Sequence, residues 1–548
     1  MANQITDNRT IVTNADAVAA FDDLSGNAAG TLDTEIFIQG TGSIGEYLSN
    51  SLAGLLFDAG SAQDWSSNVF YIWVNCGLVG LLDTKANGGF RIRFCGATVT
   101  NWFEVYVAGS DEWPPSVSGG WTQFVVDIEE ARATAITNGW TNGTTPATNA
   151  IRYVGWAGVT GGTMPRMVDN TWLDEIRRLP DGSPGIIVEG RNGGSTDWNS
   201  SDIFNQLGFA TGTFIPAAGG AWQINTPIQF GINDTTTHGF TDTNAQWLWA
   251  NAEFLPDDVY SISALGNAGG TTNVTFGIKT GTGNDATGAQ GLVVSSASDG
   301  PRWSIDVDDP NLDSIGFYGC LFNHGNDFQV DDAAVELIGT TLLDVSTMTL
   351  GGGLLQRSTV VNANTADGVP FITSNDPTRI KFTSFEFSDG HAIEITSAVG
   401  EPFTFQGNTF AGYGADGTTD AAILADNLTF TLSVANGGDT PTVREINGAD
   451  VTVENNVSVT VAGLQDDTEA AAYVTSTGAL IAEAEPATDG SPGNRSFTFS
   501  AGAGVDVYIT LFNLEWNVPP NNRIDLTVPN NDTTIPVTQV TDRVYDNP

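Results

Sequence analysis

Along most of this chain, apolar residues come in short alternating runs that stop at Gly, Asn, Asp or Ser. In "FRIRF", Phe90, Ile92 and Phe94 face one way and Arg91 and Arg93 the other. "GWTQFVVDIE" places Phe124, Val126 and Ile128 on one face. "NVFYIWVNCGLVGLL" is apolar almost throughout, as expected of a strand covered on both faces. Runs rich in Val, Ile, Thr, Phe and Trp, broken by turn residues, predict an all-β chain.

The pattern changes along the length. Residues 1–185 close with "NTWLDEIRRL" and read as a two-sheet sandwich. "LPDGSPG" and "GRNGGSTDWNSSD" carry turn chemistry. "SSDIFNQLG" predicts a short helix near 200–207, with Ser200 or Ser201 as N-cap, Ile203, Phe204 and Leu207 on one side, and Gly208 at its end.

Over 186–450, strand–turn units repeat at irregular length: "FYGCLFNHG", "IGTTLLDVS", "LQRSTVVNA", "FTSFEFSDG" and "FQGNTFAGY". Aligned on Phe322, Leu343, Val361, Phe387 and Phe410, their spacings are 21, 18, 26 and 23 residues. A period of about 20 residues suits one coil of a solenoid, in which strands stack and turns vary. A solenoid needs a lid over its first coil, and the helix near 200–207 is placed to be one. "IKFTSFEFSDGHAIEIT" then reads as a coil with Phe385, Phe387, Ile393 and Ile395 inward and Glu386 and Glu394 outward. In "VTVENNVSVTVAGL", Val457, Val459 and Val461 share a face. Residues 451–548 therefore read as a small immunoglobulin-like sandwich ending in a strand-like tail. Such a tail is expected to lie along a neighbouring subunit.

The order of "GSIGEYLS", "FYIWVN", "LLDTKANGGFRIRF", "FEVYVAG", "GGWTQFVVDI" and "TWLDEIRRL" resembles a jelly-roll sandwich of the concanavalin or carbohydrate-binding type. It also resembles the first domain of structural proteins of tailed bacteriophages, and "TTIPVTQVTDRVYDNP" resembles their closing segment. The coil at 380–396 resembles a right-handed parallel β-helix, as in phage tailspikes and pectin-degrading enzymes. The resemblance implies a virion protein: a capsid decoration protein, head spike or tail fibre. It would fold in the host cytoplasm, be exposed on the particle after lysis, and assemble as a homotrimer. Its partners would be capsid or tail proteins, and a host surface glycan.

Composition narrows the field. The 548 residues carry 64 Asp and Glu against 19 Lys and Arg, a net charge of -45. Such a surface repels phosphate backbones and anionic lipid, so no nucleic-acid partner is expected. No apolar run of about 18 residues predicts membrane insertion. "MANQITDNRTIV" lacks the basic and apolar regions of a secretory signal. The three cysteines, Cys76, Cys95 and Cys320, are odd in number and scattered, which predicts buried free thiols in a reducing compartment.

Candidate chemistry is sparse. Paired carboxylates can cleave glycosidic bonds, and Glu386, Asp389 and Glu394 lie close together in sequence beside His391. The competing reading is solvated turn residues, which 64 acidic side chains produce often by chance. His391 and His324 follow corners at different offsets, and His238 stands in a polar loop, so the histidines show no metal spacing. Asp306, Asp308, Asp309 and Asp313 are residues of the type that holds Ca²⁺, without an EF-hand's glycine and terminal Glu. No other cofactor is expected. Trp102, Tyr106 and Trp113 are candidates for stacking on a sugar, against a packing role.

Three functions fit. The first is a non-enzymatic virion protein, the second a tailspike-like depolymerase (glycoside hydrolase or lyase), and the third a bacterial carbohydrate-binding adhesin. Between 300 and 430 there is one Trp, Trp303, and two Tyr, Tyr318 and Tyr413, which is thin for a sugar groove and favours the first.

Overall fold

The structure, a computed structural model, describes residues 4–541 except 38–40, 48–51, 78, 115–119, 162–169, 191–196, 208–213, 217–221, 225, 250–254, 256, 258–259, 267–268, 297–300, 308, 331–332, 362–365, 387–388, 436–437, 485–494, 503–504, 514–515, 518–521 and 530–531. It is all-β with few helices and divides into two compact units, Met1–Met348 and Thr349–Pro548.

The first unit begins with two antiparallel sheets. One is ordered Trp121–Asp127, Asn68–Cys76, Asn170–Pro180, Ser43–Tyr47 and Thr31–Asp33. The other is ordered Thr141–Asn142, Trp102–Ala108, Phe90–Cys95, Ile151–Gly158, Ala53–Gln63 and Phe21–Asp23. Their inner faces share one core, with Phe70, Ile72 and Val126 meeting Phe94, Phe103 and Trp156. The ring of Phe70 stands edge-on to Phe94 at 5.3 Å. The strand Asn68–Cys76 is buried at every position, as its continuous apolar run predicts.

Two features depart from the sequence reading. The strand expected to run through Ile128 stops at Asp127, which caps a helix, α1 (Ile128–Asn138), by accepting from the Glu130 N–H at 2.8 Å. Ile128 is still buried, but as the first residue of α1. In addition, residues 1–185 are not all sandwich. The strand Gln4–Asp7 leaves it and pairs antiparallel with Ile186–Glu189. On its other side Ile186–Glu189 pairs parallel with Ile228–Phe230.

From there the strands run parallel and stack in register. Ile186, Ile228, Ile262, Ile305 and Phe328 form one inward ladder. Phe240, Val274, Ile315 and Val335 form a second. Trp247, Val294 and Phe322 form a third. All of these side chains are buried, which is the main apolar stabilisation of the stack. Coil length varies by insertion here: a hairpin, Ile278–Thr280 with Thr287–Ala289, enters between coils without disturbing the ladders.

A helix, α2 (Ser200–Leu207), forms where expected and lies against Gln4–Asp7. Its N-cap is Asn199 rather than Ser200 or Ser201. Asn199 Oδ1 accepts from the Asp202 N–H at 2.9 Å, and Asp202 Oδ2 from the Asn199 N–H at 3.2 Å. Ser200 instead accepts from Trp247 Nε1 at 3.1 Å, while Ile203 is buried. The Phe204 side chain and Gly208 lie outside the described residues.

In the second unit three strands make each coil. Ile380–Lys381, Ser384–Glu386 and His391–Ile395 are followed by Phe403–Gln406, Thr409–Ala411 and Ile423–Asp426. Val360, Phe385 and Phe410 are in register, and the last two rings stack at 5.2 Å. Ile372, Ile393, Ile423 and Val443 form a second ladder. The coil corner is built from left-handed residues, Arg357 (φ 51°), Phe382 (φ 52°) and Gly407 (φ 66°). Next to them Ser358, Thr383 and Asn408 form a buried polar column. The inward ladder residues are Leu342 and Val360, not Leu343 and Val361, which are half-buried; Phe387 lies outside the described residues.

The strand Asp450–Leu464 changes the architecture. Asp450–Asn455 pair parallel with Thr429–Val434, and Asn456–Leu464 pair antiparallel with Arg495–Gly502. A second sheet, Leu480–Ala484, Glu469–Val474, Asp506–Phe512 and Arg523–Thr527, packs Ala472, Ile509 and Leu511 against Val459, Val461 and Phe499. Within the chain, Thr533–Pro536 of the tail pairs parallel with Val459–Ala462. Residues 542–548 lie outside the described residues.

All three cysteines are buried, and burial pushes the Cys95 and Cys320 thiols up to about 12. Among the described residues no helix is long and apolar enough to cross a membrane.

Candidate functional site: a carboxylate shelf on the second unit

The coil at 380–396 separates its polar residues. Glu386 is exposed at the end of Ser384–Glu386, and Asp389 sits in the turn before Gly390 (φ 75°). His391 is buried. Its Nδ1 donates to the Ala421 carbonyl of the next coil at 2.6 Å, and Arg444 Nη1 approaches Nε2 at 3.4 Å. Burial, with Arg444 alongside, holds the imidazole below its ordinary value, so it is neutral at pH 7 and acts as a coil-to-coil tie.

Glu394 is different. It stands outward in a column with Thr373, Leu424 and Arg444. Asp426 ends the strand of the following coil. Both line an open depression of about 620 Å³, with Thr396, Asn427 and Asn447. Asn447 Nδ2 donates to Asp426 Oδ1 at 2.7 Å. Partial burial raises the Glu394 carboxyl above its ordinary value, and the neighbouring Asp426 charge adds to this. Two carboxyl groups sharing one depression are the side chains that an acid–base pair uses. Asp426, Asn427 and Asn447 escaped the sequence reading because stacking, not local spacing, brings them to Glu394.

Each aromatic candidate is half-buried and packs against neighbouring side chains. The Trp113 ring meets Phe90 at 5.3 Å and Phe124 at 5.5 Å, and its Nε1 donates to Thr122 Oγ1 at 3.0 Å. Tyr106 is held between Trp140, stacked at 4.0 Å, and the Arg91 guanidinium at 4.6 Å. Arg93 lies over Trp102 at 4.0 Å and donates from Nε to buried Glu104 at 2.8 Å.

Among the described residues the calcium candidates do not converge. Asp309 accepts from the Asn311 N–H at 2.8 Å within its own turn, and Asp313 accepts from the Thr272 N–H at 2.6 Å. Asp306 ends the strand Trp303–Asp306, and Asp308 lies outside the described residues. Among the described residues no group of three or more His, Cys, Asp or Glu is placed to hold a metal ion. His238 and His324 bind Asp234 and Asp344 at 3.0 and 2.8 Å.

No family model and no curated protein matches the sequence. Among solved structures, the catalytic domain of a GH87 α-1,3-glucanase in complex with nigerose is similar over 80% of this chain and 88% of its own, at 11% identity and a TM-score of 0.23. The catalytic unit of a thermostable GH87 α-1,3-glucanase from Streptomyces thermodiastaticus is similar over 81% and 96%, at 11% identity and a TM-score of 0.18. An exo-β-agarase matches over 32% of this chain and 26% of its own, at 13% identity and a TM-score of 0.20.

Proposed function

We propose that this chain is a structural protein displayed on the outside of a tailed-phage particle, as a capsid decoration protein, head spike or fibre. Its sandwiches are of jelly-roll and immunoglobulin-like type, and its coils form a right-handed parallel β-helix. The observation that carries the reading is the single strand Asp450–Leu464, parallel to the last coil at one end and part of a sandwich at the other. A coil stack that runs without a linker into a folded head is suited to rigid presentation. The net charge of -45 keeps such a surface soluble and free of nonspecific association. The resemblance to spikes implies a homotrimer bound to capsid or tail proteins, possessing some adhesion to host glycan. Mass spectrometry of purified particles tests this: the chain should be present at fixed stoichiometry, in multiples of three. Its absence from particles would overturn the reading.

A second reading, a glycan depolymerase, draws on Glu394 and Asp426 sharing one depression. It requires that purified protein release reducing ends from host envelope polysaccharide and that Asp426→Asn abolish the release.

A further inference from the structure

The C-terminal sheet of the second unit buries Ala470, Ala472, Val507, Ile509 and Leu511 on its inner side. Strand alternation then turns Glu469, Ala471 and Tyr473 outward, opposite Phe512, Thr510 and Tyr508. Phe512 is 57% exposed. One exposed ring needs no explanation, but a ring that walls a concavity does. Phe512 and Tyr473 line an open groove of about 450 Å³ in which Ala471 leaves the room. Glu469, Glu483 and the Thr510 hydroxyl supply its polar groups.

The groove is held in shape from one side. Tyr473 stacks on Tyr508 at 5.0 Å, Arg523 lies over Tyr508 at 4.0 Å, and Arg523 is paired with Asp525 at 2.6 Å. The Tyr473 ring is therefore ordered before anything binds, which lowers the entropy cost of binding. Tyr473, paired with Tyr508, and Phe512, paired with Glu469, stand four positions apart along the sheet, about 13 Å at the usual rise, a span for several linked rings rather than one.

The chemistry selects the ligand. Flat apolar rings stack on the C–H face of a sugar, and carboxylates and a hydroxyl accept from its hydroxyl groups. The lining residues described carry two carboxylates and no cation, so an acidic ligand is repelled. We propose that this groove binds a neutral oligosaccharide, stacked on Phe512 and Tyr473 and hydrogen-bonded to Glu469 and Glu483. The groove would serve the glycan adhesion of the proposed display role, but the tests are distinct: particle composition reads the role and oligosaccharide titration reads the groove.

Calorimetric titration of the full chain with cellohexaose, maltohexaose, laminarihexaose, xylohexaose and chitohexaose tests this, with trigalacturonate as the acidic comparison. At least one neutral hexaose should bind saturably and trigalacturonate should not. Phe512→Ala or Tyr473→Ala should weaken that binding about tenfold, in keeping with the worth of an aromatic contact. Ala471→Trp, which fills the groove from a solvent-facing position, should abolish it. Glu483→Lys should admit trigalacturonate. Unfolding temperature confirms that each variant is folded. No binding of any neutral hexaose, equal binding of trigalacturonate, or binding indifferent to both Phe512→Ala and Ala471→Trp would overturn the proposal.

Discussion

Asn408 ties its own coil to the one before it: its side-chain oxygen accepts from the Thr383 N–H at 3.0 Å, and its amide donates to the Ile380 carbonyl at 2.7 Å. Both bonds are buried, where no water can replace them. Asn408→Ala leaves a donor and an acceptor orphaned in the stack. The expected loss is about 2–6 kcal/mol, from about 1–3 kcal/mol for each of the two groups. Equilibrium denaturation of the full chain, followed through the second unit's transition, measures it.

A buried charge cluster in the first unit makes stability depend on pH. Asp7 accepts from Arg9 Nε at 2.9 Å and from Arg177 Nη1 at 2.8 Å. Glu175 pairs with Arg177, and Arg9 and Asp7 also face it. Burial pushes Glu175 up from 4.5 to about 7, against the pull of Arg177. Between those values the folded chain keeps a proton that the unfolded chain has released. This contribution therefore destabilises the fold progressively as pH rises from 4.5 to about 7 and is constant above. Asp127, raised by burial from 3.8 to about 6, acts in the same direction over its own window. Thermal unfolding of wild type and Glu175→Gln across this range should show the variant with the flatter profile. Identical profiles would contradict the placement of Glu175.

The net charge of -45 implies self-repulsion that salt relieves. Raising salt from about 0.01 M to about 1 M shortens the screening length from about 30 Å to about 3 Å. The unfolding temperature should rise across that range and level off at its upper end. A fall would mean that exposed attractive pairs outweigh the repulsion.

The shelf gives a prediction that separates the two functional readings. Because Glu394 is held above its ordinary value, its ionised form is mildly unfavourable in the folded chain. At pH 7, Glu394→Gln should leave stability unchanged or raise it by up to about 0.5 kcal/mol, the scale of surface substitutions. If the protein has no enzymatic role, neither wild type nor variant releases reducing ends from envelope polysaccharide. Release by wild type that the variant lacks would favour the depolymerase.

Alternation and turn chemistry made the all-β class legible, and α2 was visible from its apolar side and polar start. The phase of the ladders was not. Strands such as Thr359–Val361 are three residues long, so either valine could point inward until register with Phe385 decides for Val360. The helix α1 carried its own signal, Asp127 three residues before Glu130, but the apolar alternation just upstream masked it. The pairing of Gln4–Asp7 with Ile186–Glu189 spans nearly the whole first sandwich, and no local pattern encodes it. For the same reason Asp426 beside Glu394, and Phe512 opposite Glu469, appear only once strands are paired.

Immunogold labelling of intact, unfixed phage particles, using antibody raised against the folded protein, tests the proposed display role most directly. The display role predicts regular label on the particle surface, at head or tail, without prior disruption. Label that appears only after particles are broken open, or never, would contradict it.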